Sequence, residues 1–422
     1  MRKYGELVAD RDIRRTVDAV WRMEAAKIVA TLTRVVGDVG VAEDLAADAL
    51  VNALEQWPAT GVPHNPAAWL TTVAKRKAID QWRRQDRLDA KYAALAHELE
   101  TASDHAWDPD LIDDDVLRLI FISAHPILPR DSRIALTLRI VGGLTTEEIA
   151  RAFLVQKATI AARITRAKKM LGEANVPFEV PEPDEYPARL SAVLSVLYLI
   201  YNEGYSASSG HRWIRDELCR EALRLGRVLT ALLPDEAEVN GLVALMEFQS
   251  SRFGARTDAD GNPVLLEDQD RTQWDRAQIG RGMAALDRVG QILRRTGAGW
   301  GPYALQAALA QCHAAAPSAA DTDWARIVSL YDGLLQIAPS PVVELNRAVA
   351  IAMRSGPESA LGIVDTIDGL DDSYLLHGVR GELLSRLGRD TEAADEFERA
   401  ATMVTNDRER DVLVAKAARA RA

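Results

Sequence analysis

An all-α protein, built of two small helical modules followed by a longer helical solenoid, is what this sequence predicts. Three observations carry that expectation. Apolar residues recur at three- and four-residue steps along most of the chain, the period of helices with one buried face. Ala is abundant and aromatic residues make up only 6%, a mixture that favours helix over sheet. A 33-residue period also runs through the C-terminal part, from Ile327 to Ala360 to Ala393, the mark of stacked helical repeats.

At 422 residues the chain exceeds what one hydrophobic core serves, and domains of roughly 100–200 residues set an expectation of about two to four units. Hydrophobic residues make up 48% and charged residues 27%, the balance of a soluble globular protein. The opening stretch MRKYGELVAD lacks the apolar core of a signal peptide. The longest apolar run, AVLSVLYLIY at 192–201, is far short of the ~20 residues that span a bilayer. A cytoplasmic location with no membrane partner is expected. Cys219 and Cys312 stand far apart and neither has a second Cys at a metal or redox spacing, which speaks against a disulfide framework.

The net charge of −11 is unevenly spread. Residues 1–176 hold 25 basic and 25 acidic side chains, and residues 177–422 hold 26 and 37. Within the first part, Glu98, Glu100, Asp104, Asp108, Asp110, Asp113, Asp114 and Asp115 follow one another without an intervening Lys or Arg, the pattern of a solvated linker. The chain thus divides into a first module at 1–88, an acidic linker at 89–112, a second module at 113–176 and a helical extension at 177–422.

In the first module, VAEDLAADALVNALEQW sets Val41, Leu45, Ala49, Leu50, Ala53, Leu54 and Trp57 on one stripe, with Glu43, Asp44, Asp48 and Glu55 on its flanks. Pro58, Gly61 and Pro63 end that helix. The next opens with Asn65 as N-cap and Pro66 at the first helical position. Its Trp69, Leu70, Val73, Ile79 and Trp82 are apolar, and Lys75, Arg76, Lys77, Arg83, Arg84 and Arg87 crowd its last turns. Such a crowd is either a face for phosphates or a solvated helix end favoured by the macrodipole.

The second module ends in LTTEEIARAFLVQKATIAARITRAKKML, residues 144–171. Thr145 with Glu148 three residues on has the capping-box spacing and predicts a helix from Thr146 to Phe153. Leu154–Gln156 makes a turn, and a second helix, free of acids, runs to about Leu171. Ile149, Ala150 and Phe153 should pack on Ile160, Ile164 and Ala167, which leaves Lys157, Thr159, Arg163, Arg166 and Lys169 outward. A helix-turn-helix presents this arrangement when its second helix enters the major groove, with later basic residues on phosphates.

Beyond a Pro- and acid-rich stretch at 177–187, everything reads as helix pairs. Tyr331, Val364 and Phe397 share the 33-residue spacing, as do Leu334, Ile367 and Ala400, and RLGRDTEAADEFERA has the small-aromatic-small pattern of a tetratricopeptide second helix. Such units are expected from about Asp323 to Asn406, with an atypical helical region stacked before them. In YNEGYSASSGHRW, Asn202, Glu203, Tyr205 and His211 are polar beside an apolar helix. No nucleophile with a base accompanies them, so a structural or pocket-lining role is expected, with the helix stopping near Gly204. The acid–base alternation of LEDQDRTQWDR reads as a salt-bridged surface, and Cys312-His313 lacks further metal ligands.

AEDLAADAL and PAAWLTTVAKRKAIDQWRR followed by a helix-turn-helix resemble the two-domain minimum of a bacterial RNA polymerase sigma factor of the extracytoplasmic-function, sigma-70 type. LYLIYNEGYSAS, LEDQDRTQWDR, TDWARIVSLYDGLL and SPVVELNRAVA resemble the subgroup with a tetratricopeptide-like extension. The resemblance implies that the protein is no enzyme and needs no cofactor or metal, and that its partners are core RNA polymerase and promoter DNA. It assigns Glu43, Asp44 and Asp48 to the polymerase-docking face, where relatives usually carry Gln in place of Ala47. It assigns Lys75, Arg76, Lys77, Asp80, Arg83 and Arg84 to the melted minus-10 strand, with Trp69 and Trp82 read as core. For the minus-35 element it assigns Lys157, Thr159, Arg163 and Arg166 to the groove and Lys168 and Lys169 to phosphate. The acidic extension either folds back on the basic helices or recruits a protein partner. The rival reading, a one-component helix-turn-helix regulator with a sensing solenoid, leaves the first module without a purpose.

Overall fold

The computed structural model describes residues 2–85, 109–153, 155–205, 216–258, 264–404 and 407–422, and among them it is helical throughout, with no strand. The chain forms two compact units, Met1–Leu199 and Ile200–Ala422.

In the first unit, α1 (Arg2–Val36), α2 (Val39–Thr60) and α3 (Pro66–Gln85) pack on one another. Gly37, with a φ of 72°, makes the reversal after α1. Asp38 then caps α2, its Oδ1 accepting the N–H groups of Gly40 (2.7 Å) and Val41 (2.9 Å), donors that the first turn leaves without helical partners. Pro58 sits inside the last turn of α2, which continues to Thr60 and ends at Gly61, φ 80°. Asn65 Oδ1 accepts the N–H of Ala68 at the start of α3. Trp57 is buried and meets half-buried Trp69 edge-on, ring centroids 5.4 Å apart, an arrangement aromatic quadrupoles favour. The side chain of Trp82 lies outside the described residues. Of the stripe read from the sequence, Leu45, Ala49, Ala53 and Trp57 are buried while Val41 and Leu54 are exposed, because Ala42, Glu43 and Ala46 are buried as well. The buried arc of α2 is wider than one stripe because two partners cover it.

The second partner comes from α4 (Pro109–Ser123), α5 (Arg130–Ile140), α6 (Thr146–Ala152) and α7 (Lys157–Glu173). Helix α4 packs on α1, α5 and α6 pack on α7, and α7 touches α2. The acidic run read as a linker therefore ends sooner than expected: α4 begins at Pro109, and Asp115 is fully buried between Arg34 and Arg118, each 2.8 Å away. Burial pushes its carboxyl above the ordinary range in spite of the two cations. The rest of the run, Glu98 to Asp108, lies outside the described residues.

Helix α8 (Tyr186–Tyr205) leads into the second unit, which holds α9 (Asp216–Leu232), α10 (Ala237–Ser250), α11 (Arg276–Thr296), α12 (Pro302–Ala315), α13 (Trp324–Ile337), α14 (Pro341–Ser355), α15 (Pro357–Val364), α16 (Tyr374–Arg386), α17 (Asp390–Met403) and α18 (Asp407–Ala420). Helix α10 is central, packed by α9, α11 and α12. Its Gly241 lets α12 come so near that a β-carbon there would lie 2.7 Å from Ala304 N. From α13 onward each helix packs on the next. Of the nine positions that recur every 33 residues, Ile327, Ala360, Ala393, Val364, Phe397, Leu334, Ile367 and Ala400 are buried and Tyr331 is half-buried.

Candidate nucleic-acid interface

The helix-turn-helix is specified locally. Thr145 Oγ1 accepts the N–H of Glu148 (3.1 Å), and Glu148 Oε2 accepts the N–H of Thr145 (2.8 Å), so both halves of the capping box form. Ile149, Ala150 and Ala152 of α6 are buried with Ile160, Ile164, Ala167 and Leu171 of α7, and Phe153 is half-buried beside them. The opposite side of α7 exposes Lys157, Thr159, Arg166 and Lys169. Lys157 and Glu147 form a loose, exposed pair at 3.7 Å, and Lys169 and Glu173 another at 3.6 Å; such pairs are weak and yield readily to phosphate. Arg163 is instead half-buried and held by Asp131 of α5 at 2.6 Å.

Lys168 departs furthest from its expected role. Its ammonium donates to Asp44 Oδ1 at 2.8 Å and to Glu43 Oε2, both on α2. Glu43 also receives Arg139 of α5, whose Nε donates at 2.8 Å and whose Nη2 lies at 2.6 Å. The carboxylate of Glu43 is 6% exposed. Burial by itself would raise its pKa, but the adjacent Arg139 and Lys168 hold it below the ordinary value. Lys168 is likewise held above its ordinary value, burial being outweighed by Glu43 and Asp44. Residues expected to face polymerase and a residue expected to face DNA are thus brought onto each other. Arg139, which completes the cluster, escaped the sequence reading because nothing local links it to Glu43, 96 residues away.

Along α3, Arg76 is exposed and Lys75 half-buried. Lys77 donates to the Asp48 carbonyl at 3.2 Å and lies 3.9 Å from its carboxylate, so one expected minus-10 contact lies against one expected polymerase contact. Asp80, Arg83 and Arg84 are on the same helix, with side chains outside the described residues.

In the second unit, α8 runs through Gly204 to Tyr205 rather than stopping there. The Tyr205 ring stacks under Arg256, 3.5 Å from its centroid, and the Tyr205 carbonyl accepts from Arg256 Nη1 at 2.6 Å. His211 lies outside the described residues. The LEDQDRTQWDR segment is not the salt-bridged surface expected: Gln269, Arg271 and Trp274 are buried, and Arg271 Nη1 donates to the carbonyls of His313 and Ala316, both at 2.7 Å. Only Glu267 keeps that character, 3.1 Å from Arg386. A cavity of about 310 Å³ beside this segment is lined by Leu265, His313, Val349, Met353, Val379 and Leu383. Burial pushes His313 down to about 4, with Arg252 and Arg271 acting in the same direction, so it is neutral at pH 7. Among the described residues no cluster of His, Cys, Asp and Glu has a metal-binding arrangement, and no helix is long and apolar enough to cross a membrane.

Sequence comparisons agree with the arrangement. The family described as sigma-70 region 2 matches residues 21–88, sigma-70 region 4 matches residues 118–171, and a family of unknown function (DUF6596) matches residues 189–290. An uncharacterised protein of Rhizobium meliloti (strain 1021) is 44% identical over 391 residues, 90% of this chain and 89% of its own length. A probable ECF RNA polymerase sigma factor, SigI of Mycobacterium tuberculosis, is 27% identical over 174 residues, 40% of this chain and 59% of its own length. SigK of Mycobacterium sp. (strain KMS), an ECF RNA polymerase sigma factor, is 26% identical over 164 residues, 37% of this chain and 81% of its own length. With that likeness to the Rhizobium meliloti protein along nearly its whole length, the chain belongs to one family with that protein, and it carries sigma-70 regions 2 and 4 in order, the two regions that mark a sigma factor.

Proposed function

We propose that the chain docks on core RNA polymerase through the acidic side of α2, places α7 in the major groove of the minus-35 element and lays the basic side of α3 on the melted minus-10 strand. The observation that carries this reading is the exposed row Lys157, Thr159, Arg166 and Lys169 on a helix whose other side is packed and whose N-terminal partner is fully capped. Base contacts from such a row are each worth on the order of 1–3 kcal/mol of discrimination. Two elements read by one polymerase-bound chain supply the remainder of the specificity. The extension reads as a tetratricopeptide-like solenoid that modulates activity or takes a protein partner. Its support is the inward placement of the three 33-residue series, of whose nine positions eight are buried and Tyr331 is half-buried.

Run-off transcription with purified core polymerase and no other sigma factor tests the central reading. Promoter-dependent transcripts are expected; transcripts only on adding a housekeeping sigma factor would show a one-component regulator instead. For the extension, promoter binding by a chain ending at residue 205 separates the alternatives. Tighter binding than by the full chain points to inhibition by the extension, and unchanged binding with lost transcription points to recruitment.

A further inference from the structure

We propose that the cavity beside Arg271 binds a small carboxylic acid with an apolar body, the body lying between α14 and α16 and the carboxylate on the Arg271 guanidinium.

The walls select the body. They are formed by Leu265 from the segment before α11, Trp324 of α13, Val349 and Met353 of α14, and Val379 and Leu383 of α16. A volume of about 310 Å³ is at the small end of the roughly 300–1,000 Å³ of pockets that hold small molecules. Hydrocarbon entering such walls leaves water without displacing a polar partner. The charged groups toward α16 and α18 are already matched to one another. Glu267 lies 3.1 Å from Arg386, and Glu382 lies 3.3 Å from Arg386 and 2.8 Å from Lys416.

The head group is selected by the charge that this matching leaves over. Arg271, Arg386 and Lys416 line the cavity against Glu267 and Glu382, three cations to two acids, and Arg271 is the excess. It is only 7% exposed, yet its hydrogen bonds go to uncharged oxygens: Nη1 donates to the carbonyls of His313 and Ala316, and Nη2 to Thr322 Oγ1 at 3.4 Å. Those bonds use three of the five N–H donors of a guanidinium. A second cation stands close by. The guanidinium carbons of Arg252 and Arg271 lie 5.9 and 4.9 Å from the ring centroid of Trp274, and Arg252 donates to the Tyr205 hydroxyl. Burial and then Arg252 lower the pKa of Arg271, and the exposed Asp321 opposes them. A buried charge is costly unless it is paired, and a carboxylate is the partner that a guanidinium holds best. The neutral His313 on the same wall adds a polar atom, Nδ1, that is buried with no hydrogen-bond partner among the described residues. An alcohol with the same body would leave the excess charge unmatched, and an amine would add to it.

Calorimetric titration of the full chain tests the site. The probes are decanoate and phenylbutyrate, each beside the alcohol and the amine that share its body. At least one acid should bind one-to-one and about tenfold or more tightly than its alcohol, because a hydrogen bond to a charged group outweighs a neutral one. Its amine should bind weakest. The bound acid should also raise the thermal midpoint, since it joins the segment before α11 to the repeats. Val349→Trp and, separately, Met353→Trp fill the cavity from half-buried positions and should abolish binding while helix content is kept. Arg271→Gln should cancel the preference for acid over alcohol. Should that variant not fold, the head-group series on the unaltered chain still decides the role of Arg271. The proposal is overturned if neither acid binds below its micelle concentration, if the alcohol or the amine matches its acid, or if binding survives in a folded cavity-filled variant. Each readout is binding to the second unit, so the result stands whether or not the chain starts transcription.

Discussion

Glu238 occupies the space that a side chain on Gly301 would need. A β-carbon on Gly301 would fall 2.3 Å from Glu238 Cδ, while the two carboxylate oxygens accept the N–H groups of Tyr303 (2.9 Å) and Ala304 (3.0 Å) at the start of α12. One helix thus lends its acid as the cap of another. Gly301→Ala must evict that carboxylate and leave two donors without partners. Hydrogen bonds to a charged group are worth about 1.5–3 kcal/mol, so a loss of about 2 kcal/mol in urea unfolding is expected. Gly299→Ala, which meets open space, should show no such loss.

Arg166 and Arg163 should behave differently toward DNA. Arg166 is exposed with no ion-pair partner among the described residues, whereas Arg163 is held by Asp131. Arg166→Ala should weaken promoter binding by the polymerase complex and lower the slope of log affinity against log salt by about 1, the signature of one lost phosphate contact. Arg163→Ala should change that slope less and reduce stability instead, because it also frees α7 from α5. Titrating binding against salt for both variants decides the assignment.

The α2–α7 contact has a defined response to acid. Glu43 is held below its ordinary value of 4.5 in the folded chain, so the stabilisation it provides is fully present above 4.5 and is lost as pH falls through its lower folded value. Energy transfer between dyes on cysteines replacing exposed Thr60 and Ala174 should stay constant from neutral pH down to 4.5 and fall only below it. Loss of transfer between neutral pH and 4.5 would mean that another group holds the contact.

In the C-terminal part, Gly381 of α16 and Phe397 of α17 interlock: a β-carbon on Gly381 would lie 2.8 Å from the ring. Phe397 is 2% exposed and has nowhere to retreat. Gly381→Ala should cost about 1–3 kcal/mol through overpacking, and Phe397→Leu should relieve part of that cost when combined with it. Thermal unfolding of the two single variants and the double variant checks the coupling.

What the sequence made legible was whatever depends on neighbours along the chain. The capping box at Thr145 and Glu148, the N-cap at Asn65 and the inward 33-residue series are local patterns, and each follows from helix geometry alone. Glu43, by contrast, carries the same signal as Asp44 and Asp48, an acid on a helix flank. It is buried because of Arg139 and Lys168, 96 and 125 residues away, and no period reports such a pairing. Asp115 was misjudged for the same reason, its partner Arg34 being contributed by α1. The burial of Arg271 likewise depends on the carbonyls of His313 and Ala316, which are distant in sequence.

The clasp between Lys168 and α2 bears on how a cell could store this protein. Two weak grips on one promoter reinforce each other only when both can engage together, and a clasped chain offers α7 alone. If the proposed function holds, spare copies drift on and off DNA without occupying start sites, and promoter occupancy follows the supply of polymerase rather than the number of chains made.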